Sequence, residues 1–433
     1  MVCEEIREYI DNLRLSKGSV LGLQSIKALL LELGNPQDKI KIVHVAGTNA
    51  KGSTVSYIAN ICMASGYKVG VYSSPAVFDY YEMFRINGDN ITTTEYATVG
   101  SKVIEAVSKV NKRGIYPTSF EIETVIAYEY FSEANVDIAI IETGMGGELD
   151  ATNVTKNTMV SVITPISMDH IEFLGDSLSK IAKVKAGIIK DNSYVVLGLE
   201  QDTEVVSVIE NVTQQRNTKL LMPKHKDVII KEKNTFDYKD ITGIQIQMEG
   251  TNQIYNAVTA IETAIILKEH YGYDNITISA IKNGIKEVKL FGRIEKIATK
   301  PDIVIDGAHN VAAAQNLKEY ILENYANKKV IIVTGMFKDK DYTSVAKIMS
   351  SITNNVITLT APTTRGLDSK ELQKIYEAIY IEQKQHYNVR MFDNDYDKAM
   401  DYAISIADEE DVILVFGSFS FLATIKVYIE REM

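Results

Sequence analysis

Tryptophan is absent from this 433-residue chain, cysteine appears twice and proline only seven times. Each shortage excludes a class of protein. Two cysteines, Cys3 and Cys62, form no framework of the kind that staples small secreted domains, and their spacing is not that of a metal site. So few prolines, with no low-complexity tract, leave no long disordered linker. No apolar run approaches the roughly 18 to 20 residues that cross a bilayer. The opening stretch MVCEEIREYIDNLR is charged and helical in pattern, without the apolar region of a signal peptide. Basic residues are outnumbered, 46 Lys and Arg against 57 Asp and Glu, for a net charge of −11. That balance argues against a general nucleic-acid or anionic-membrane surface while leaving room for local basic pockets. The expectation is a soluble cytoplasmic protein, a monomer by default, with no nucleic-acid or membrane partner.

A hydrophobic content of 45% with 24% charged residues excludes wholesale disorder. At about 150 residues per domain, the length points to two or three domains. Apolar β-branched runs at Ile40–Ala46, Tyr67–Ser73, Val136–Glu142, Val160–Thr164 and Tyr194–Leu199 alternate with helical patterns such as Thr54–Ala64 and Phe120–Ala134. Runs apolar on both faces and separated by helices predict a parallel sheet covered on each side. The rhythm restarts at Asp302–Ile305, Val330–Thr334, Val356–Thr360, Val389–Phe392 and Val412–Phe416. Between the two series, residues 219–250 lack a helical period and predict a small β-rich insertion. Helical patterns at Asn252–Glu269 and Thr277–Lys286 follow, and Lys289–Thr299 is the expected hinge. The fold class is therefore α/β, a parallel-sheet domain over residues 1–290 followed by a smaller α/β domain over residues 291–433.

The most informative stretch is KIVHVAGTNAKGST, residues 41–54, where a buried-type strand runs through a glycine turn directly into a helix. Glycines Gly47 and Gly52 let backbone approach phosphate oxygens, and amides at the start of the helix face the anion. Lys51 supplies a point charge, and Ser53 or Thr54 a hydroxyl for phosphate or metal. The string departs from the general GxxxxGK[ST] pattern, since Ala50 precedes the lysine and Gly52 follows it. The bland alternative is a glycine-rich turn with a solvated lysine. The loop alone does not separate kinase, GTPase, ATPase and ligase, although no NKxD-type guanine signature follows it. Further along, Glu142 ends an apolar strand before TGMGGELDATN, and SVITPISMDH ends another with Asp169 and His170. A carboxylate at the C-terminal end of a parallel strand lies where such sheets place ligands, and hard oxygen donors suit Mg²⁺. Nothing resembles a Ser/His/Asp triad, and neither cysteine is expected to be catalytic.

GTNAKGST, VGVYSSP, FRING, IIETGMGGELDATN, SVITPISMDHIEFLGDSLSKIAKVKAGIIK, FGRIEKI, DGAHN, GMFKDKD and GSFSFL occur in this order. The ordered set resembles the folylpolyglutamate synthase / dihydrofolate synthase family of the Mur ligase superfamily, over nearly the whole chain. The resemblance implies an N-terminal P-loop domain of the Mur central-domain type and a smaller C-terminal Rossmann-like domain, with ATP bound in the cleft between them. It implies a ligase that activates the carboxylate of dihydropteroate or a reduced folate as an acyl phosphate, which the amine of L-glutamate then attacks. By motif position, Gly47, Thr48, Asn49, Ala50, Lys51, Gly52, Ser53 and Thr54 would wrap the triphosphate. Ser74 and Glu142 would hold one Mg²⁺, and Glu142 with His170 a second. Lys185 matches the lysine that the family carbamylates, and a monovalent cation is a further expectation. Asn256, Arg293 and Asp306 would reach ATP, and His309 the phosphate end. Thr118, Ser119, Phe120, Glu121 and Leu149 occupy positions that the family gives to the pterin-bearing substrate. The chain departs from its relatives at Ala50, where Gly is usual, at Ala76 and Met83, where His and Arg are common, and at Glu148, where Arg is common. None is an expected metal ligand, so the departures bear on substrate choice: dihydropteroate, reduced folates or both. A ligase with another acyl acceptor, such as a peptidoglycan precursor, and a nucleotide-binding protein without turnover are the competing readings.

Overall fold

A computed structural model describes residues 1–16 and 22–432. The chain separates into two units. The first comprises residues 1–167, 174–247 and 253–288, and the second residues 168–173, 248–252 and 289–433.

The first unit is built on an eight-stranded sheet in the order Asp89–Asn90, Phe84–Ile86, Val69–Tyr72, Ile138–Glu142, Ile42–Ala46, Thr158–Ile163, Tyr194–Leu197, Lys219–Leu221. The six strands from Val69–Tyr72 to Lys219–Leu221 run parallel, while Phe84–Ile86 pairs antiparallel with Val69–Tyr72 and the edge strand Asp89–Asn90 antiparallel with Phe84–Ile86. Strands buried on both faces read as continuous apolar runs, which is why Ile42–Ala46 and Ile138–Glu142 are apolar almost throughout. One face packs Tyr72, Phe84 and Ile141 against Val103, Val107, Tyr128 and Phe131 of the helices Thr93–Asn111 and Ser119–Glu133. Gly70 lies under Phe131, and a Cβ there would come within 2.9 Å of the ring. Both helices start at capping boxes, Thr92 with Glu95 and Thr118 with Glu121, in which hydroxyl and carboxylate satisfy otherwise orphaned amides.

Residues 228–245 fold into a separate three-stranded antiparallel sheet, as the sequence predicts. Lys219–Leu221, expected in that insertion, is instead the edge strand of the large sheet, paired parallel with Tyr194–Leu197. Three residues carry too little periodicity to reveal their partner.

The second unit has a six-stranded sheet in the order Glu295–Ala298, Asp302–Asp306, Val412–Phe416, Val330–Thr334, Asn355–Thr358, Asn388–Met391. Alternate residues pack on opposite faces, Val304, Ile332 and Leu414 on one and Ile303, Ile331 and Ile413 on the other. The expected hinge contains a strand. Glu295–Ala298 adds antiparallel to Asp302–Asp306, because the turn around Lys300 and Pro301 sends the chain straight back. Among the described residues no helix is long and apolar enough to cross a membrane.

Candidate functional site

In the first unit, the strands Val69–Tyr72, Ile138–Glu142, Ile42–Ala46 and Thr158–Ile163 all end at the same edge, where parallel sheets collect ligand loops. Residues 47–50 turn from strand to helix over a carbonyl supplied by the next loop. The amides of Thr48 and Asn49 both donate to Pro165 O, at 3.0 and 3.1 Å. Thr48 Oγ1 donates to Ser167 O at 3.1 Å, and Thr164 Oγ1 donates to Asn49 O at 2.7 Å. The turn is thus clamped from outside, leaving its inner surface to backbone.

The helix Lys51–Ala64 then begins without a side-chain cap, its N-cap Ala50 in the left-handed region at φ 65°. Helices elsewhere in the chain, such as those at Thr118, Asp202, Thr277, Asn310 and Asp368, receive a side-chain oxygen at that point. The amides of Gly52 and Ser53 are therefore available to an external anion, as the helix dipole favours. Thr54 Oγ1 supports the same fit, being buried with no hydrogen-bond partner. Gly52 faces Glu142, and a Cβ on it would stand 3.7 Å from Glu142 Oε2. Lys51 Nζ donates to Gly47 O and Thr48 O at 3.2 and 3.3 Å, folded back over the turn.

Ala50 in this conformation carries a steric cost that glycine escapes. Ala50→Gly is expected to raise stability by about 0.5–1 kcal/mol, read as the urea midpoint at unchanged m value. A lower midpoint would mean that the Ala50 methyl makes compensating contacts.

Lys185 comes to the same turn. Although on the helix Leu178–Ala186, it is buried, with Nζ donating to Gly47 O at 2.7 Å. The glycines of TGMGG make this approach possible. A Cβ on Gly147 would lie 2.8 Å from the carbonyl oxygens of Val184 and Lys185, so backbone packs on backbone there. The DATN string fastens the arrangement. Asn153 Nδ2 donates to Glu148 O and Gly187 O, and Lys190 Nζ donates to Asn153 Oδ1 at 2.7 Å. Asp150 accepts from Met145 N, Thr152 N and the Thr152 hydroxyl. Since that hydroxyl donates to Asp150, it accepts from His44, which places the imidazole proton on Nε2 at 2.8 Å. Burial holds His44 neutral, its pKa down at about 3, with Lys190 adding to the effect.

The residues expected at the pterin-bearing substrate divide. Phe120 is partly buried, its ring stacked on Tyr72 at 6.2 Å and so close to Gly144 that a Cβ there would lie 2.4 Å from Cζ. Ser119 begins its helix, and Leu149 is 46% exposed. Thr118 and Glu121 are committed to capping each other's amides, and Glu121 Oε1 also accepts from Ile26 N at 3.1 Å. Met83 is buried in the core beside Phe84. Asn256, on the helix Thr251–Tyr271, is buried and donates to Gln253 Oε1 at 3.1 Å. Ser74 follows Ser73 at the end of Val69–Tyr72 and is half-buried.

In the second unit, Asp306 ends a strand with both oxygens engaged, Oδ2 by Ile294 N at 2.9 Å and Oδ1 by Ala308 N at 2.8 Å. Burial raises its pKa, and Arg293 opposes the rise. The Arg293 guanidinium lies 4.7 Å above the Phe419 ring. His309 Nδ1 donates to Gly307 O at 2.8 Å, so the proton is on Nδ1. Burial first, then Lys340, hold that imidazole neutral, with a pKa of about 4.

Lys340 is the residue that sequence reasoning missed, although its motif, GMFKDKD, was in view. It is buried, donates to Asp169 Oδ1 at 2.7 Å and lies 3.2 Å from His170 Nε2, which accepts. Burial pushes the Asp169 carboxyl up, but Lys340, His170 and His309 outweigh it and hold the group at about 2. A charged residue inside an ordered motif was the available signal. Among the described residues, no group of three or more His, Cys, Asp or Glu side chains is gathered to hold a metal ion. Mg²⁺ commonly takes only one or two carboxylates and completes its shell with water and phosphate, which a sparse set around Glu142 fits.

An α/β unit with an uncapped phosphate-loop helix beside a strand-end carboxylate defines a nucleotide-phosphate-binding protein. Residues 45–264 match the Mur ligase middle domain, and residues 292–419 match the Mur ligase, glutamate ligase domain. The chain is 31% identical to the dihydrofolate synthase/folylpolyglutamate synthase of Bacillus subtilis (strain 168), over 98% of each chain. Escherichia coli FolC in complex with DHPP and ADP superposes with a TM-score of 0.85, at 28% identity and over 98% of each chain. Mycobacterium tuberculosis folylpolyglutamate synthase complexed with ADP and AMPPCP gives 0.86, at 25% identity and over 98% of each. The chain belongs to the dihydrofolate synthase/folylpolyglutamate synthase family of Mur ligases.

Proposed function

We propose that this protein is an ATP-dependent amide ligase that adds L-glutamate to a folate-type carboxylate, releasing ADP and phosphate. The observation that carries the reading is the helix Lys51–Ala64 starting without a side-chain cap, its Gly52 and Ser53 amides beside Lys51 and Glu142. It supports a triphosphate site in a chain whose relatives are named for glutamate ligation to folates.

A carboxylate and an amine do not condense in neutral water, because the oxygen to be expelled is a poor leaving group. Transfer of the γ-phosphoryl group to the acid makes that oxygen part of an acyl phosphate, a mixed anhydride; the amine of glutamate then attacks the carbonyl carbon, loses a proton and expels inorganic phosphate. The chain's part is to place and neutralise. The amides of residues 51–53 and the hydroxyls of Ser53 and Thr54 hold the phosphates, and Lys51 offsets charge on the transferring group. Thr118, Ser119, Phe120, Glu121 and Leu149 are the proposed contacts to the pterin-bearing acid, with the Phe120 ring offered for stacking. Arg293, Asp306, His309 and Asn256 are the proposed nucleotide contacts, and Ser74, Glu142 and His170 the proposed Mg²⁺ ligands. Bound magnesium supplies charge neutralisation to the triphosphate.

We also propose that Lys185 is carbamylated and that a monovalent cation assists. Lys185 Nζ lies buried beside the phosphate turn, where addition to CO₂ with loss of protons would turn the cation into an anionic carbamate whose oxygens suit a hard metal ion. Lys185→Ala is expected to lower turnover about 100-fold. Intact mass under ¹³C-bicarbonate should show a labile adduct in the parent and none in the variant; equal labelling of both would sink the assignment. The reading as a whole is tested by ADP release with ATP and L-glutamate, screening dihydropteroate against tetrahydrofolate. ADP release that ignores both acids would overturn it.

A further inference from the structure

Arg85 stands on the strand Phe84–Ile86, opposite Val71 of Val69–Tyr72. Tyr72 is in turn level with Ile141 of Ile138–Glu142. Side chains alternate along a strand, so Tyr72, Phe84 and Ile141 share the core face, where Tyr72 and Phe84 stack at 5.7 Å. Ser73, Arg85 and Glu142 share the other, on which Gly52 of the phosphate-loop helix approaches Glu142.

The cation is poorly satisfied there. Its Nη2 donates to Ser73 Oγ at 3.2 Å, and its Nε is buried with no partner. The nearby Glu82 carboxylate is engaged by the amides of Val77, Phe78 and Asp79. Burial lowers the Arg85 pKa, with Glu82 and Glu142 opposing. A guanidinium offers five donors in a planar fork and keeps its charge at any working pH. Holding one in a desolvated position with a single neutral acceptor is unfavourable unless an oxyanion arrives to meet the fork.

We infer that Arg85 binds the phosphoryl group in transfer between nucleotide and acid. The inference rests on the ligase reading above. Arg85 faces the same side of the sheet as Glu142 and the open helix end, not the side of Phe120, so the oxyanion it meets is the one at the phosphate turn. In the transition state charge is spread over the three equatorial oxygens of the phosphoryl group in flight, and a fixed cation placed to meet them there acts mainly on the rate.

The test compares Arg85→Ala and Arg85→Lys with the parent in the full chain with Mg²⁺. Arg85→Ala should lower kcat about 100- to 1000-fold while the KM values for acid and glutamate stay within about threefold. Guanidinium ion should restore part of the rate, which a merely structural residue would not allow. Independently of turnover, calorimetry with ADP and with a non-hydrolysable ATP analogue should show the analogue weakened about tenfold and ADP unchanged. Equal weakening of both nucleotides, a rise confined to the acid's KM, or an unchanged kcat would each overturn the proposal. A parent without acid-dependent ADP release would overturn the ligase reading, and the nucleotide comparison would still decide whether Arg85 meets the terminal phosphate.

Discussion

Lys51→Ala should abolish most glutamate-dependent ADP formation, a fall of about 10²- to 10³-fold, and leave the protein folded. The ammonium is a flexible charge on the turn, and it donates to two carbonyls of that turn. Those bonds are not what holds the loop. Thr48 and Asn49 are fixed by Pro165 O, and Asn49 O by the Thr164 hydroxyl. The thermal midpoint should therefore move by no more than a couple of degrees. Lys51→Arg keeps the charge in a bulkier, forked group and should recover only part of the rate, because a phosphate point contact does not need the fork. Turnover of Lys51→Ala at the parent rate would remove the triphosphate from this loop.

Gly47→Ala and Gly52→Ala should fail for opposite reasons. A Cβ on Gly47 would sit 1.8 Å from Thr164 Oγ1, 2.9 Å from Thr164 Cβ and 3.0 Å from Thr164 O. Rotating the threonine side chain does not relieve the backbone contact, and it breaks the hydroxyl's bond to Asn49 O. Gly47→Ala is thus expected to cost about 1–3 kcal/mol in overpacking, lowering the urea midpoint, and to displace the turn so that nucleotide affinity falls with it. Gly52→Ala meets only Glu142 Oε2 at 3.7 Å, an ordinary contact. It should keep the parent's midpoint while weakening ADP about tenfold or more, because the methyl occupies space that the fold leaves open for phosphate. If Gly52→Ala bound ADP as the parent does, the open space would have another purpose.

The same contrast runs through what could be read in the sequence. The strand-turn-helix at residues 41–54 was legible because each part has a local signature: an apolar run, glycines, then a helical period. Strand ends such as Glu142 and Asp306 were legible because parallel strands collect ligands at one edge. Arg85 and Lys340 were not assigned, since a cation in a quoted motif looks the same whether it is solvated or buried. Only neighbours distant in sequence, Ser73 with Glu142 and Asp169 with His170, distinguish the two cases. Thr118 and Glu121 were legible in another way. Their spacing is that of a capping box, and the structure uses them as one.

By itself the sequence determined the alternation of strands and helices, the two sheet series, the phosphate turn and, through its ordered motifs, the family, because all of these are carried by short-range pattern. Tertiary structure decided which groups lose water. It buried Lys185 against Gly47 O, left Thr54 Oγ1 without a partner, set Arg85 on the face of Glu142 and assigned residues 168–173 and 248–252 to the second unit. Those outcomes depend on the packing of segments from about a dozen to more than a hundred residues apart, where desolvation rather than residue type sets what a charge can do.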